Sequence, residues 1–348
     1  MQIAYMPDTH FGHYSQPNLP DREDVSDAMD QILREAELAE EVGFDGIWVP
    51  ERHQRTETYW PSCISLLMAL AARTKRVKIA PTVMMPTFHH PVHLAEQLAA
   101  IDNLSRGRLI FGAGVGYHED YFKHFGVPFE KRGRRFEEAM EVMNRCWTER
   151  EFSFDGEFFQ FEGVRMTPKP YQQPRPPVWI GAFAPKPLQR ALDWDGWVTW
   201  FTPAPEEILP TVEEMREKAD KRGKKEFTFG MALEGWIGDE KELREKHAHR
   251  WVSEVNFYGE RGLAPETDEL SSMDEELIGT MESGFLCLGN KQKWIDKIEE
   301  YREKINPDWI CIHIRTPQDG RGYHPSFNEA LEVIEQFGEI LDAVPTDK

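Results

Sequence analysis

The chain has 348 residues, of which 40% are hydrophobic and 12% aromatic, and its formal net charge is −20. This composition predicts a globular protein with a large core, and the length suits one α/β barrel or two smaller domains. The negative charge argues against nucleic acid as a partner, because phosphate backbones bind basic surfaces. The longest apolar run, residues 63–72, is too short to span a membrane.

The cysteines and the first residues indicate the cellular compartment. Four cysteines are scattered without a C-x-x-C pair, so we expect neither a zinc cluster nor a disulfide framework. The opening stretch MQIAYMPDTHFGH lacks the basic start and apolar run of a secretory signal peptide. We therefore predict a protein of the reducing cytoplasm.

Short apolar runs alternate with helical patterns along the chain. Residues 3–6 predict the first strand, and apolar residues at helical spacing predict a following helix that stops at Gly43. Further strands are expected at 47–49, 77–84, 109–112, 178–182, 197–201, 227–233 and 309–314, nearly all followed by helices. Eight such units predict an α/β fold, a (β/α)8 TIM barrel with insertions that forms a single domain over residues 1–348.

Two segments depart from this alternation. The stretch FSFDGEFFQF alternates around Asp155-Gly156, which predicts a hairpin, and PKPYQQPRPP after it predicts an extended connector. Residues 241–284, after the seventh strand, are too many for an ordinary loop. We interpret them as an insertion at the active-site face and a candidate lid.

Histidines gather where the predicted strands end, which in a barrel is the active-site rim. The first strand ends in Asp8, Thr9 and His10, and the second in Glu51, Arg52 and His53. Further rim histidines are His89 and His90 after the third strand, His118 after the fourth and His313 in the last. Because separate strands deliver imidazoles to one rim, this pattern favours a functional site over scattered surface histidines.

Two other interpretations of the rim fit the residues less well. A barrel metal hydrolase would need two histidines one residue apart after the first strand, whereas His10 and His13 are three apart, so we expect no metal. The glycines of GAGVG resemble a dinucleotide fingerprint, but Tyr117 stands where its third glycine belongs. Small residues there instead indicate that a flat group, such as a flavin ring, lies close to the backbone.

Most of the chain resembles the bacterial luciferase-like family of flavin-dependent monooxygenases. The resemblance rests on GFDGIWVPERH, on PTFHHPVHLAEQLAAIDNLSRGRLIFGAGVGYHEDYFKHFGVPFEKRGRRFEEAMEVMNRCW, on FSFDGEFFQFEGVRMTPKP and on PPVWIGAF. It implies a barrel with insertions, which agrees with the strand count.

The resemblance also implies a cofactor and partners. Family members commonly use reduced FMN from a separate flavin reductase, with O2, to oxygenate a small organic molecule. Another branch uses the deazaflavin F420 for hydride transfer, and a non-catalytic flavin-binding relative is a third alternative. A homodimer is implied as well.

Roles for individual residues follow from the rim chemistry and from the resemblance. His53 is the candidate acid/base, because an imidazole exchanges protons near neutral pH, and Glu51 could orient it or contact the flavin. Substrate contacts are expected from His10, Arg52, His90 and His313. The resemblance places the flavin against Met6, Ala80, Pro81, Thr82, Gly114, Tyr117, His118, Gly181, Ala182, Phe183, Ala184, Thr199 and Trp200.

The flavin interpretation makes local demands. Trp200, Phe201, Phe183, Phe88 and Met84 are expected to form an apolar wall, and Lys186 with Arg190 to lie near the phosphate. Ala80-Pro81 resembles the family position of a cis-peptide bulge under the ring. Arg52, where luciferases proper have a second histidine, and Gly114-Val115, where they have Cys-Arg, argue against light emission.

Overall fold

Strands and helices alternate through the parts of the chain that the computed structural model describes, residues 1–10, 21–259, 275–314 and 327–344. The strands are β1 (Gln2–Met6), β2 (Gly46–Val49), β3 (Lys78–Pro81), β4 (Phe111–Ala113), β5 (Phe152–Asp155), β6 (Gln160–Val164), β7 (Val178–Gly181), β8 (Gly196–Val198), β9 (Thr228–Ile237), β10 (Leu286–Gly289) and β11 (Trp309–Ile314). The helices are α1 (Arg22–Val42), α2 (Cys63–Arg73), α3 (Pro91–Leu104), α4 (Glu119–His124), α5 (Arg132–Thr148), α6 (Pro185–Ala191), α7 (Pro205–Lys221), α8 (Glu240–Gly259), α9 (Glu275–Ser283), α10 (Lys291–Lys304) and α11 (Phe327–Ala343).

The eight strands predicted from the sequence form a nearly closed parallel barrel. Their order is β3-β2-β1-β11-β9-β8-β7-β4, and every neighbouring pair runs parallel. Isolated parallel bridges from Ile79 to Leu109 and from Met84 to Ala113 bring the two ends of the sheet together. The predicted (β/α)8 TIM barrel is therefore confirmed.

A ninth parallel strand, β10, was not predicted. It pairs with the second half of β9, from Glu234 to Ile237, so β9 extends beyond the strand expected at 227–233. Gly235 permits this pairing, because its φ is +151° and a Cβ there would lie 1.9 Å from the Cys287 carbonyl oxygen. With four residues, LCLG, β10 is too short to distinguish from a buried turn by its pattern alone.

Three tryptophans fill the inside of the barrel. The ring centroids of Trp48, Trp179 and Trp309 lie 5.7–6.0 Å apart, a spacing typical of edge-to-face and tilted aromatic packing. Small residues make room for them: a Cβ at Gly196 would lie 2.5 Å from the Trp179 ring, and one at Gly46 would lie 2.9 Å from the Trp309 ring. The interior is therefore solid at this level, as in other α/β barrels.

The helices cover the outside of the barrel with their apolar faces. In α1 the buried residues Ala28, Ile32, Ala36 and Ala39 recur at helical spacing, as predicted. The helix ends at Gly43, which is left-handed at φ 114° and returns its N–H to the Ala39 carbonyl. The predicted stop signal is confirmed.

The two predicted departures from alternation also have counterparts in the structure. β5 and β6 form an antiparallel hairpin in which Asp155 pairs with Gln160, and residues 167–177 contain neither helix nor strand. Between β9 and β10, α8 and α9 occupy most of residues 241–284, while residues 260–274 lie outside the described part of the chain. That this segment is a lid stays a prediction.

Gly196→Ala tests the packing inside the barrel. The added methyl group would meet the Trp179 ring at 2.5 Å and the Thr228 carbonyl oxygen at 2.8 Å, so we expect the free energy of unfolding to fall by roughly 1–3 kcal/mol. The measurement is urea unfolding followed by tryptophan fluorescence.

Gly279→Ala in α9 is the matched control. Its Cβ would meet nothing within 4 Å, and alanine favours a helix, so stability should be unchanged or rise by up to about 1 kcal/mol. Equal effects of the two substitutions would contradict the packing described for Trp179.

Candidate active site

A cavity of about 260 Å³ opens at the carboxyl ends of the barrel strands. Its walls are mostly apolar and include three large aromatic residues, Phe183, Trp200 and Phe201. The other lining residues are Met6, Pro50, Glu51, Arg52, Thr82, Val83, Met85, Gly114, Val115, Gly116, Tyr117, Gly181, Ala182, Ala184, Pro187 and Tyr258. An apolar cavity with few polar groups is the usual form of a small-molecule site.

Many of the predicted flavin residues lie at this cavity. Met6, Thr82, Gly114, Tyr117, Gly181, Ala182, Phe183, Ala184 and Trp200 line it. Ala80, Pro81, His118 and Thr199 do not: Ala80 packs inside the barrel, His118 stacks on Tyr121 in a neighbouring groove, and Thr199 is buried beside Trp200. Of the expected apolar wall, Phe88 and Met84 also lie elsewhere.

Close contacts within the protein explain why several rim positions are glycine. A Cβ at Gly114 would lie 2.5 Å from Val83, one at Gly181 would lie 3.0 Å from it, and one at Gly112 would lie 2.1 Å from the Pro81 carbonyl oxygen. These glycines let the turn after β3 approach β4 and β7. The explanation by a flat ligand is therefore not needed for the glycines, although Gly114 and Gly181 do line the cavity.

The cis peptide is not where it was expected. The bond that is cis in this turn joins Thr82 to Val83, and Ala80-Pro81 is trans. The position that the family resemblance suggested for such a bond therefore lies two residues before the one that is cis in this chain. Both residues of the actual cis bond line the cavity.

Glu51 is the buried acid of the cavity wall. Its Oε2 accepts a hydrogen bond from the Met85 N–H at 2.5 Å, and its Oε1 accepts one from His89 Nε2 at 3.3 Å. His53 Nε2 lies 3.5 Å from the same Oε1. Burial alone would raise the pKa of this carboxyl, but its contacts with the two imidazoles outweigh burial and hold the pKa at about 2. The carboxylate is therefore ionised at neutral pH.

His53 lies behind Glu51 and does not line the cavity. Its ring is surrounded by Phe88, Tyr121 and Phe125, with centroids 5.0–6.0 Å away in edge-on geometry. An imidazole in this position reaches the cavity through Glu51. The predicted neighbours Glu51 and His53 are thus brought together, but of the two it is Glu51 that lines the cavity.

Arginines and tyrosines form another part of the rim. Arg52 lines the cavity, and its Nε lies 3.4 Å from the hydroxyl oxygen of Tyr258 on α8. Arg55 pairs with Glu57 at 2.6 Å and stacks over Phe257 of the same helix. Burial would raise the pKa of Tyr258, but Arg52 and Arg55 outweigh it and lower this pKa, which indicates a positive potential at this wall.

The other predicted substrate residues lie away from the cavity. His10 is buried, and its backbone N–H donates to Asp8, which also forms an ion pair with Arg250 of α8. His313 is fully buried, with Nδ1 3.6 Å from Glu234 Oε1 and its ring beside Trp200. His90 is exposed at the start of α3 and faces Phe161 of the hairpin. None of the three lines the cavity.

The predicted phosphate cations are not at the cavity wall either. Arg190 forms an ion pair with Glu137 at 2.6 Å, and Lys186 is exposed on α6. Pro187 of the same helix does line the cavity. Among the described residues, no three His, Cys, Asp or Glu side chains are grouped so that they could hold a metal ion.

Several lining residues were missed by sequence reasoning. Val83, Met85 and Val115 sit in rim turns whose apolar residues read as ordinary core, and Tyr258 comes from a distant helix. His89 was expected at the rim but was given no role, and the turn at residues 86–88 brings it, rather than His90, to Glu51.

Comparison with known proteins identifies the family. The luciferase-like monooxygenase family matches residues 4–305, and the chain belongs to this family. The oxygenase component of a flavin-dependent trigonelline monooxygenase from Acinetobacter baylyi is 25% identical over 92% of both chains. An F420-dependent glucose-6-phosphate dehydrogenase from Amycolatopsis mediterranei is 31% identical over 55% of this chain and 60% of its own.

A solved structure supports the fold assignment. Monooxygenase RslO1 from Streptomyces bottropensis superposes with a TM-score of 0.78 over 99% of each chain, at 24% identity. The family contains flavin-dependent monooxygenases as well as F420-dependent oxidoreductases. No helix among the described residues has the length and apolar character needed to cross a membrane.

The ionised state of Glu51 predicts a specific response to acid. The pKa of Glu51 is about 2 in the folded protein and 4.5 ordinarily. The stability that its ionised form adds is therefore complete above pH 4.5 and is lost as the pH falls towards 2. The difference corresponds to stability on the order of 3 kcal/mol. In urea unfolding, the stability gap between wild type and Glu51→Gln should narrow as the pH falls below about 5.

Exposed acids supply the control for this acid experiment. Glu162 on β6 is exposed, and its carboxylate makes no ion pair or hydrogen bond with the described part of the chain, so the stability difference between Glu162→Gln and wild type should stay constant with pH. A gap for Glu51→Gln that stays constant from neutral pH to about pH 3 would contradict the ionised, imidazole-bound state.

Proposed function

We propose that this protein is the oxygenase component of a two-component monooxygenase that uses reduced FMN and O2 to oxygenate a small organic substrate. A separate flavin reductase supplies the reduced FMN. The observation that carries the proposal is the apolar, aromatic cavity at the strand ends of a luciferase-like barrel, with one ionised carboxylate in its wall. Bound reduced flavin would supply the reaction with oxygen.

The residues at the cavity fit a flavin ring. The buried Oγ1 of Thr82 has no hydrogen-bond partner within the described chain, so it is available to a polar edge of a ligand. A volume of about 260 Å³ suits a ring system rather than a whole FMN. The ribityl phosphate would extend outwards past Phe183, which is 46% exposed.

The protein's own groups have separate tasks in this proposal. Phe183, Trp200 and Phe201 exclude water, which reactive oxygenated intermediates require. Glu51 presents a fixed negative charge to the cavity, and His53 reaches the site through this carboxylate. The proposed acid/base role of His53 is therefore exerted through Glu51 and not by direct contact with the cavity.

The substrate we propose carries an anionic group. Arg52 lines the cavity beside Tyr258, and the lowered pKa of Tyr258 supports a positive potential there. The aromatic residues on the wall suit an apolar or aromatic body. The roles of His10, His90 and His313 as direct substrate contacts are not supported, since they lie outside the lining.

Three further predictions belong to this proposal. The homodimer is supported by family resemblance, and light scattering of the purified protein tests it.

The cytoplasmic location is supported by the absence of disulfide-type cysteine spacing, as all four cysteines are buried and free. The lid is supported by α8, whose Tyr258 lines the cavity.

Thr82→Val tests flavin binding at the cavity. Valine removes the unpartnered hydroxyl at equal size, so affinity for FMN should fall by up to about tenfold while stability is kept. The matched control is Thr202→Val, because the buried Thr202 hydroxyl donates to the Ala232 carbonyl at 3.3 Å. That variant should lose stability and keep its affinity for FMN.

Oxygen reactivity distinguishes the alternatives. Protein mixed with reduced FMN without air and then exposed to O2 should return oxidised-flavin absorbance more slowly than free reduced FMN does. Tight binding of F420 together with no effect on reduced FMN would replace the proposal with F420-dependent hydride transfer. Flavin binding without any effect on the oxygen reaction would indicate a non-catalytic relative.

Arg52→Gln tests the anionic substrate. With benzoate and benzamide as probes, we expect the variant to lose roughly tenfold in affinity for benzoate and little for benzamide, because a charge-assisted hydrogen bond is lost. The exposed Arg150→Gln is the control and should change neither. Equal loss for both probes would contradict a role for the guanidinium charge.

A further inference from the structure

Two imidazoles from separate segments share one oxygen of Glu51. His89 Nε2 hydrogen-bonds to Oε1 at 3.3 Å, and His53 Nε2 lies 3.5 Å from the same atom. Because an ionised carboxylate only accepts hydrogen bonds, the His89 nitrogen that bonds to it carries a proton, whereas His53 Nε2 lies close to the same oxygen without a hydrogen bond. The Met85 N–H holds the other oxygen at 2.5 Å, so the carboxylate is fixed on both sides.

Glu51 stands between the cavity and these imidazoles. It lines the cavity, whereas His53 and His89 do not. Both rings are partly exposed, with side-chain exposures of 17% for His53 and 23% for His89. They can therefore exchange protons with solvent, while their effect on a ligand passes through the carboxylate.

We propose that His53 and His89 form a duplicated pair of positioning residues that hold Glu51 and set the net charge of the cavity wall. With neither imidazole protonated the group carries one negative charge, with one protonated it is neutral, and with both it is positive. This inference rests on the proposed function in one respect, since it takes an anionic flavin as the ligand that responds to the charge.

Other titratable groups near Glu51 would not produce this change in the net charge of the cavity wall. Cys63 of α2 lies 3.7 Å from Glu51 Oε1, and the Tyr121 ring of α4 lies 5.9 Å from that of His53. Burial raises the pKa of both, so they stay uncharged at neutral pH, and Arg52 stays charged.

Two more histidines lie at the ends of α4. His124 bonds to Gln54, and His118 stacks on Tyr121, and neither of these contacts is with Glu51. His53 and His89 are the imidazoles in direct contact with the carboxylate. Each of these imidazoles can gain or lose one proton, so each can change the net charge of the wall by one.

Proton uptake on flavin binding tests the pair. Reduced FMN, whose ring carries a negative charge, is titrated without air into the full-length protein by calorimetry in two buffers of different ionisation enthalpy, between about pH 7 and pH 9. An anion favours protonated imidazoles, so wild type should take up protons on binding and bind more tightly as the pH falls. His53→Gln and His89→Gln should each lose roughly half of this uptake, and the double variant nearly all of it.

Glutamine makes the comparison selective. It keeps an N–H donor for Glu51 but cannot change its charge, so these variants should fold and still position the carboxylate. His90→Gln is the matched control, since His90 is exposed and faces the hairpin, and its proton uptake should equal that of wild type. Uptake that is unchanged in the double variant, or reduced equally by His90→Gln, would overturn the proposal.

A second measurement needs no flavin. Proton NMR of the protein alone should show two imidazole N–H resonances shifted downfield by the carboxylate, one lost in each single variant and both moved in Glu51→Gln. If both resonances are present but FMN does not bind, the proposed function is contradicted and the role of His53 and His89 is supported. If FMN binds but the resonances are absent, the role of His53 and His89 is contradicted and the proposed function is supported.

Discussion

The packing of three tryptophans inside the barrel is the constraint on which the rest of the structure depends. Trp48, Trp179 and Trp309 fill the interior, and glycines on neighbouring strands leave room for their rings. Met6 connects the tryptophans to the site, because it belongs to the apolar cluster inside the barrel and also lines the cavity. A solid interior therefore provides the floor of the site, and it limits the cavity to the strand ends.

The charges around the cavity are arranged on separate walls. Glu51 accepts hydrogen bonds from the Met85 N–H and from His89, with His53 close to the same carboxylate oxygen, while Arg52 and Tyr258 form a positive wall with α8. In a site with apolar walls, such fixed charges act strongly, because little water screens them. Glu51 and Arg52 thus line different parts of one cavity, and Glu51 lies next to imidazoles that are partly exposed to solvent and do not line it.

Much of the fold could be predicted, but less of the site. Eight barrel strands, the helix stop at Gly43 and the hairpin at Asp155-Gly156 follow local patterns, and the structure confirms them. The pattern could not reveal β10, because four apolar residues fit several local structures. At the rim, sequence reasoning expected His90 and His313 to meet the substrate, whereas His89 is the histidine that reaches Glu51.

The sequence by itself determined the alternation of strands and helices, the family and the rim segments, because these depend on spacing between near neighbours in the chain. Only the tertiary structure decided which rim side chains share a wall. Arg52 meets Tyr258 across 206 residues, and Glu51 meets His89 across 38. Such contacts depend on how the strand-end turns and α8 pack over the barrel. One residue of shift in a turn moves a side chain to another face, so local pattern cannot fix them.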